Sequence, residues 1–140
     1  MITEPTVFTL PWPVSVNRTY RSVAGRSILS KDARAWKTAA SISIMSQRQH
    51  IRPHTGKVRI MVELCAPDKR RRDCDNPLKL VLDAIVDAGI IPSDDNRTVR
   101  EVTARWVDLG PPCTVTITSL GPITGGQPAP PADALKGEQP

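Results

Sequence analysis

A regular alternation of apolar and polar residues just after Gly56 constrains the fold of this chain more than any other feature. The apolar positions, each two residues after the last, are Val58, Ile60, Val62 and Leu64. Because successive side chains of a strand point to opposite faces of its sheet, this spacing predicts a strand with one buried face. That face must be covered by another layer, which helices elsewhere in the chain can supply.

The stretch that precedes this strand has the pattern of an amphipathic helix. Ser30 is a suitable N-cap, and Trp36, Ala40 and Ile44 follow at intervals of four residues, the spacing of one helix face. We therefore predict a helix from Ser30 to about Gln49.

A second helix is predicted after the strand. Asn76 is a suitable N-cap, Pro77 is favoured at the first helical position, and Gly89 is expected to end the helix. Its apolar stripe would consist of Leu78, Val81, Leu82 and Ile85.

Three further strands complete the predicted sheet. The first is Val7–Leu10, and the polar stretch Val14–Leu29 that follows it is expected to be a loop. The last two strands cover about Val99–Val107 and Cys113–Thr118, and Gly110-Pro111-Pro112 indicates an antiparallel hairpin between them. The order β-α-β-α-β-β predicts an α+β fold, in which two helices pack on one mixed β-sheet.

Residues 1–120 are predicted to form one domain, and residues 121–140 a disordered tail. The tail contains four Gly, five Pro and no apolar periodicity, so it cannot offset the entropy cost of ordering. No stretch has the length and apolar character of a membrane span, and the N-terminus lacks the basic and apolar regions of a secretory signal. We therefore expect a cytoplasmic protein without a membrane partner.

The cysteines and histidines show no pattern of a structural site. The three cysteines form no Cys-x-x-Cys pair, and neither His50 nor His54 completes a zinc-ligand spacing. These features argue against a disulfide framework and a structural zinc site. Both histidines are expected at the surface.

The segment Lys69–Lys79 combines basic and acidic residues in an order that indicates chemistry. Four consecutive basic residues, Lys69–Arg72, lead directly into Asp73 and Asp75, in a chain with a net charge of +5. In an extended backbone the two carboxylates would share one face, with their Cα atoms about 6.6 Å apart. Carboxylates this close repel each other unless a cation lies between them, and Mg²⁺ suits such a pair.

Three neighbouring features support a phosphate and metal site. Asp75 and Asn76 lie at a predicted helix N-terminus, where backbone N–H groups favour a phosphate. Lys79 lies one helical turn after Asp75 and could reach the same phosphate. The acidic pair Asp94-Asp95 follows the helix and would join the site if its loop folded back.

Each of these features also has a structural interpretation that the sequence leaves open. The first two aspartates can balance the neighbouring arginines, and Lys79 can form a surface ion pair with Asp75 or Asp83. The pair Asp94-Asp95 can form a polar turn.

Arginines that bind a polyanion, next to carboxylates that bind a divalent metal, predict phosphodiester hydrolysis. A divalent metal lowers the pKa of a bound water and stabilises charge on the phosphate. Lys79 would neutralise charge that develops on the phosphoryl group. The arginines would supply salt-dependent affinity for the backbone of a nucleic acid without reading its bases.

The segment Arg70–Lys79, followed by Leu82-Asp83-Ala84 and Gly89, resembles the RusA family of Holliday-junction resolvases. The stretch Leu10–Tyr20, which reads LPWPVSVNRTY, is similar to the opening motif of that family, and Asp94–Arg97 is similar to its acidic motif after the helix. The resemblance covers about residues 6–120, so only the tail lies outside it.

The resemblance implies a small homodimeric endonuclease that cuts four-way DNA junctions symmetrically in DNA recombination and repair. It implies Mg²⁺ as the cofactor, with Mn²⁺ as a possible substitute. Carried over by matching residues, the catalytic and metal-binding aspartates would be Asp73, Asp75 and one aspartate after the helix, and Lys79 would be the required lysine. The residues expected to contact DNA are Lys69, Arg70, Arg71, Arg72, Asn76, Asn17, Arg18 and Tyr20.

The third aspartate is one of two neighbours, and both are kept as catalytic and metal-binding candidates. Counting from Gly89 without a gap selects Asp94. Matching the family's pattern of two acidic residues through Arg97 selects Asp95, with one residue inserted before it, and this is the alignment we prefer.

Two other functions remain open at this point. A module that binds branched DNA without cutting it would need the same basic surface, and metal-dependent cleavage distinguishes it from an enzyme. A nuclease that prefers flaps or forks would share the chemistry, and a panel of branched substrates distinguishes it from a resolvase.

Overall fold

The computed structural model describes residues 4–14 and 20–121, with Tyr20 and Arg21 described by their backbone alone. The strands within these ranges are β1 (Thr6–Leu10), β2 (Tyr20–Val23), β3 (Arg26–Leu29), β4 (Lys57–Leu64), β5 (Val99–Trp106) and β6 (Cys113–Gly121). The helices are α1 (Lys31–Ser46) and α2 (Leu78–Asp87), and a 3₁₀ turn, Arg48–His50, follows α1. The predicted tail lies outside the described residues, except that β6 extends to Gly121.

Four strands form one mixed sheet in the order β1-β6-β4-β5, which confirms the predicted α+β fold with a mixed sheet. β6 is antiparallel to both of its neighbours, whereas β4 and β5 are parallel. The predicted hairpin between the last two strands is therefore wrong. β6 alternates between buried and half-buried residues and suits the centre of the sheet, while β5 is largely exposed on both faces and suits its edge.

A second sheet, the antiparallel pair of β2 and β3, lies in the stretch that was predicted to be a loop. Ala24 and Gly25 form its two-residue turn with φ angles of 52° and 76°. Positive φ at both positions gives a turn whose twist matches that of the flanking strands. The strands of this hairpin carry no apolar alternation, which is why the sequence pattern does not indicate them.

The core lies between one face of the four-stranded sheet and the two helices. The predicted alternation in β4 is confirmed, because Val58, Ile60, Val62 and Leu64 are fully buried. The buried apolar residues on the neighbouring strands are Phe8, Leu10, Cys113, Val115 and Ile117. All three cysteines are free thiols.

The first helix begins where the sequence predicts. The hydroxyl oxygen of Ser30 accepts a hydrogen bond of 3.1 Å from the backbone N–H of Ala33, which confirms the N-cap. The helix ends at Ser46, before the predicted end near Gln49, because the chain passes into the 3₁₀ turn. Its buried face consists of Ala33, Trp36, Ala40 and Ile44, and so includes the three predicted positions.

The second helix begins one residue after Pro77, which takes the N-cap position that was predicted for Asn76. No side chain caps this end with a hydrogen bond. Gly89, with a φ of 76°, follows the last turn and confirms the predicted end.

The buried face of α2 is rotated from the predicted stripe. Val81 and Ile85 are buried as predicted, together with Leu80 and Ala84. Leu78 and Leu82 are only half-buried against the core. Since α2 is apolar on several sides, its sequence does not select one face, and packing decides which side is covered.

Two polar side chains secure β1, which is an edge strand. His54 Nε2 lies 2.9 Å from the hydroxyl of Thr6, and both side chains are buried, so the predicted surface position of His54 is wrong. The partner of His54 lies on a strand far away in sequence, and only the fold brings them together. The side-chain amide of Gln47 accepts a hydrogen bond of 2.8 Å from the backbone N–H of Thr9 and donates one of 2.8 Å to its carbonyl. It thus replaces the hydrogen bonds that a neighbouring strand would make.

Burial and the nearby Arg52 lower the pKa of His54, which keeps its ring neutral. None of the helices in residues 4–14 and 20–121 combines the length and apolar character needed to cross a membrane.

Candidate active site

The carboxyl ends of three strands, β1, β4 and β5, lie at the same end of the sheet. β1 and β4 are both antiparallel to β6, and β5 is parallel to β4, so these three strands run in the same direction. Leu10 and Leu64 both pair with Cys113, and Trp106 pairs with Leu64. The chain segments that leave β1 and β4 therefore start side by side, next to the end of β5.

The acidic motif after β4 forms a turn. The backbone carbonyl of Asp73 accepts a hydrogen bond from the N–H of Asn76 at 3.3 Å, and that of Asp75 accepts one from Leu78 at 3.2 Å. The extended backbone assumed in the sequence argument is therefore not present, because the chain is already curving into α2. Cys74 is half-buried against the core, with its Sγ 3.9 Å from the carbonyl oxygen of Ala104.

Asp73 and Asp75 lie on either side of this inward cysteine, and both are exposed. Neither carboxylate forms a hydrogen bond or ion pair with another of the residues that the structure describes. Mg²⁺ is commonly held by one or two carboxylates together with water and substrate phosphate oxygens, so the donors of this pair fit that ion. Within residues 4–14 and 20–121, no three His, Cys, Asp or Glu side chains form a group that could hold a metal.

Lys79 connects the first turn of α2 to the loop after the helix. Its Nζ lies 3.1 Å from Oδ1 of Asp83 and 3.2 Å from Oδ2 of Asp94. The loop therefore folds back towards the start of α2, which is the condition for Asp94 and Asp95 to approach the site. Asp83 and, secondarily, Asp94 raise the pKa of Lys79, which keeps its ammonium group charged.

Asp95 has a different partner from its neighbour. Its carboxylate accepts hydrogen bonds from the Arg97 guanidinium at 2.9 Å and from the Arg97 backbone N–H at 3.0 Å. These bonds lower the pKa of Asp95 to about 2, so it is ionised at neutral pH. Asp94 thus faces Lys79 while Asp95 faces Arg97, and both remain candidates for the third catalytic aspartate.

Asp68 orders the basic run that precedes the acidic motif. Its carboxylate accepts two hydrogen bonds from the Arg72 guanidinium, at 2.7 and 3.0 Å, and one from the backbone N–H of Arg70 at 2.9 Å. The Arg72 hydrogen bonds hold the pKa of Asp68 well below its usual range. The guanidinium of Arg72 also lies 5.5 Å from the ring centroid of Trp12. Among the predicted DNA contacts of this run, the side chains that remain exposed are Lys69, Arg70 and Arg71.

A cavity of about 760 Å³ lies between the basic run, the segment after β1 and the end of β5. The rings of Trp12 and Trp106 stack beside it, with centroids 6.0 Å apart and planes inclined by 24°. Asp73 and Asn76 also line it, which places the cavity directly next to the acidic motif. No sequence motif assigns either tryptophan a role, although they are two of only five aromatic residues in the chain.

Three predicted DNA contacts follow Trp12–Val14, the segment that lines the cavity, in the sequence. Asn17 and Arg18 fall outside the described residues, and Tyr20 begins β2 and is described by its backbone alone.

Comparison with known proteins gives one consistent result. A family model described as Endodeoxyribonuclease RusA matches residues 11–118. Crossover junction endodeoxyribonucleases RusA of Shigella sonnei and Escherichia coli K12, and that of Enterobacteria phage 82, are each 35% identical to this chain over 113 residues. Each alignment covers 81% of this chain and 93% of the relative.

Proposed function

The chain belongs to the RusA family of endodeoxyribonucleases, and we propose on that basis that it resolves four-way DNA junctions by metal-dependent phosphodiester hydrolysis. One observation carries the proposal for this chain. The exposed carboxylate of Asp73 lines the same cavity as Arg70 and Arg71. Along the chain, the exposed Asp75 and Lys79 follow directly at the start of α2. A phosphodiester substrate needs cations that hold its backbone and carboxylates that hold a metal at the scissile phosphate.

Binding of the DNA backbone falls to the exposed residues of the basic run. Lys69, Arg70 and Arg71 are exposed and can approach phosphates, whereas Arg72 is held by Asp68 and Trp12. Arg70 also forms an ion pair with Asp68, with its Nε 3.4 Å from the carboxylate, but its side chain remains largely exposed. Contacts of this kind position the duplex without reading its sequence, and their affinity falls steeply with salt. Arg72 and Asp68 instead fix the shape of the loop that presents the other three cations.

Asp73 and Asp75 would hold Mg²⁺, or Mn²⁺ in its place. Asp95 is the preferred third carboxylate; it forms no metal-binding group with them in the part of the chain that the structure describes, so it would have to approach them when metal and DNA bind. When bound, the metal supplies a water of lowered pKa and charge stabilisation at the phosphate. Asp95 is ionised at neutral pH, as a metal ligand must be, and its carboxylate would have to exchange the Arg97 guanidinium for the metal. Asp94 is the remaining candidate for the third position.

Lys79 would neutralise negative charge that develops on the scissile phosphate. Its two carboxylate partners keep the ammonium protonated and hold it on the first turn of α2, one turn beyond Asp75. A fixed cation at this position costs no reorganisation when the charge appears, which is the condition for effective electrostatic stabilisation. Asn76, half-buried at the turn, would support the start of the helix and contact the DNA.

We include a homodimer and a cytoplasmic location in the proposal. A four-way junction offers two equivalent scissile phosphates, and a two-fold symmetric enzyme presents two sites to them. The cytoplasm is where the DNA substrate of a bacterial or phage recombination enzyme lies.

The test uses a synthetic four-way junction and a linear duplex of the same sequence, each incubated with protein and Mg²⁺ or with EDTA. We expect paired nicks at symmetric positions on the junction alone, and none in EDTA. Asp75→Asn should bind the junction and leave it uncut. Asp87→Asn, which changes an exposed aspartate at the far end of α2, is the matched control and should cut like the parent.

The other outcomes separate the alternatives. Binding without nicks in both Mg²⁺ and Mn²⁺ would leave a non-catalytic module that binds branched DNA. Faster cutting of flaps or forks than of four-way junctions would indicate a nuclease of different preference.

A further inference from the structure

The cavity beside the acidic motif has a composition that the hydrolytic reaction does not require. Its volume of about 760 Å³ lies within the range of about 300–1,000 Å³ that is usual for small-ligand sites. One wall is aromatic, formed by Trp12 and Trp106, and another is basic, formed by Arg70, Arg71 and Arg72. A site with these two walls fits a ligand that is flat and apolar on one part and anionic on another.

The aromatic wall has one ring that a ligand can reach. Trp12 is half-buried and contacts both Arg72 and Trp106, so its faces are largely covered by other side chains. Trp106 is the last residue of the edge strand β5, and 39% of it is exposed. A ring centroid spacing of 6.0 Å leaves no room for a third ring between the two indoles. A flat group would therefore stack on the exposed part of Trp106.

The wall is also rigid, which favours binding. The two hydrogen bonds from Arg72 to Asp68 hold the guanidinium beside Trp12. The backbone of Trp106 is held by the pairing of β5 with β4, where it lies opposite Leu64, and its ring stacks on Trp12. Aromatic groups that are ordered before binding lose little conformational entropy when a ligand stacks on them.

We propose that this cavity receives one nucleobase, unstacked from the junction next to the scissile phosphate, and that Trp106 is the residue on which the base stacks. The inference rests on the proposed nuclease function, because Asp73, a proposed metal ligand, lines the same cavity. Arg70 and Arg71 would hold the phosphates that flank the extruded nucleotide. Unstacking costs least where pairing is already disturbed, so capture of a base would favour the branch point of a junction over an intact duplex.

The test is a double-mutant cycle between Trp106 and the base. The base on either side of each cut site is removed one at a time, which leaves an abasic position in an otherwise identical junction. Single-turnover nicking in Mg²⁺ and junction affinity in EDTA are measured for the parent, Trp106→Ala, Trp106→Leu and Trp106→Phe. Leu109→Ala, which changes an 89% exposed apolar residue near the end of β5 that does not line the cavity, is the matched control.

Loss of base stacking on an aromatic side chain lowers affinity by about 5- to 150-fold. We therefore expect Trp106→Ala and Trp106→Leu to lose about 5- to 150-fold in nicking rate or junction affinity on the intact junction. Trp106→Phe should retain most of both, since it keeps a ring. At one abasic position these losses should disappear, because the base that stacks is absent. Trp106→Leu keeps an apolar side chain on β5, so it tests stacking even if the alanine variant folds poorly.

Equal losses on the intact junction and on every abasic junction would overturn the proposal, as would parent-like behaviour of Trp106→Leu. Failure of the parent to nick any junction would instead refute the proposed nuclease function. In that case the affinity measurements in EDTA still decide whether Trp106 holds a base.

Discussion

Asp94 and Asp95 are neighbours in sequence with different partners, and replacing each by asparagine should give very different enzymes. Asp94→Asn removes one of two ion-pair partners of Lys79, in a pair whose side chains are 57% and 33% exposed. Exposed pairs of this kind contribute about 0.2–1 kcal/mol, and Asp83 continues to hold the lysine, so nicking should slow by no more than about fivefold. Asp95→Asn removes a proposed metal carboxylate and should slow nicking by about 100-fold or more.

The assay is single-turnover nicking of one four-way junction at saturating protein, repeated over a series of Mg²⁺ concentrations. Asp95→Asn should need more Mg²⁺ for half-maximal rate, whereas Asp94→Asn should keep the midpoint of the parent. Gel-shift affinity in EDTA should be similar for both variants, because neither residue belongs to the basic run. The reverse pattern, with Asp94→Asn inactive and Asp95→Asn near normal, would refute the assignment and make Asp94 the third ligand.

Two further predictions follow from the contacts around the site and beneath β1. Lys79→Met should lower the nicking rate by about 100-fold or more, while its junction affinity in EDTA should stay near that of the parent. A parallel loss of junction affinity would mean that Lys79 only binds DNA. His54→Asn should lower the free energy of unfolding at pH 7.5 by about 1 kcal/mol, because the buried contact with Thr6 is lost or weakened. Since burial lowers the pKa of His54 from 6.5, the unfolded chain takes up its proton first as the pH falls below that value, and the parent loses stability there. Measured by urea denaturation, the free energy of unfolding should fall less between pH 7.5 and 5.5 in His54→Asn than in the parent. An equal fall in both would show that protonation of His54 does not cause the loss of stability.

The local sequence patterns of the chain are sufficient to predict most of its secondary structure. The alternation in β4 and the Ser30 cap of α1 are confirmed because each depends on neighbours within a few residues. The sequence does not predict the hairpin of β2 and β3 because its strands carry no alternation of apolar and polar residues. The stripe of α2 was misplaced because that helix is apolar on several sides and its packing selects the buried face.

The residues of the acidic motif were identifiable from sequence, and so were the basic run and Lys79. Their arrangement was not, because it depends on contacts between distant segments. The spacing of Asp73 and Asp75 does not distinguish extended backbone from the turn that the structure shows, and the pairing of Lys79 with Asp94 requires the loop after α2 to fold back.

The sequence by itself determined the fold class, the family and the kinds of side chain at the site, because periodicity, caps and short motifs are local properties. Only the tertiary structure decided that β6 lies between β1 and β4, since strand order depends on which pairings bury the most apolar surface. That order sets the carboxyl ends of β1, β4 and β5 side by side. It therefore brings Trp12 and Trp106, which are far apart in the sequence, into one stack beside Asp73. No local pattern encodes this contact, because it arises from the register of strands that are distant in sequence.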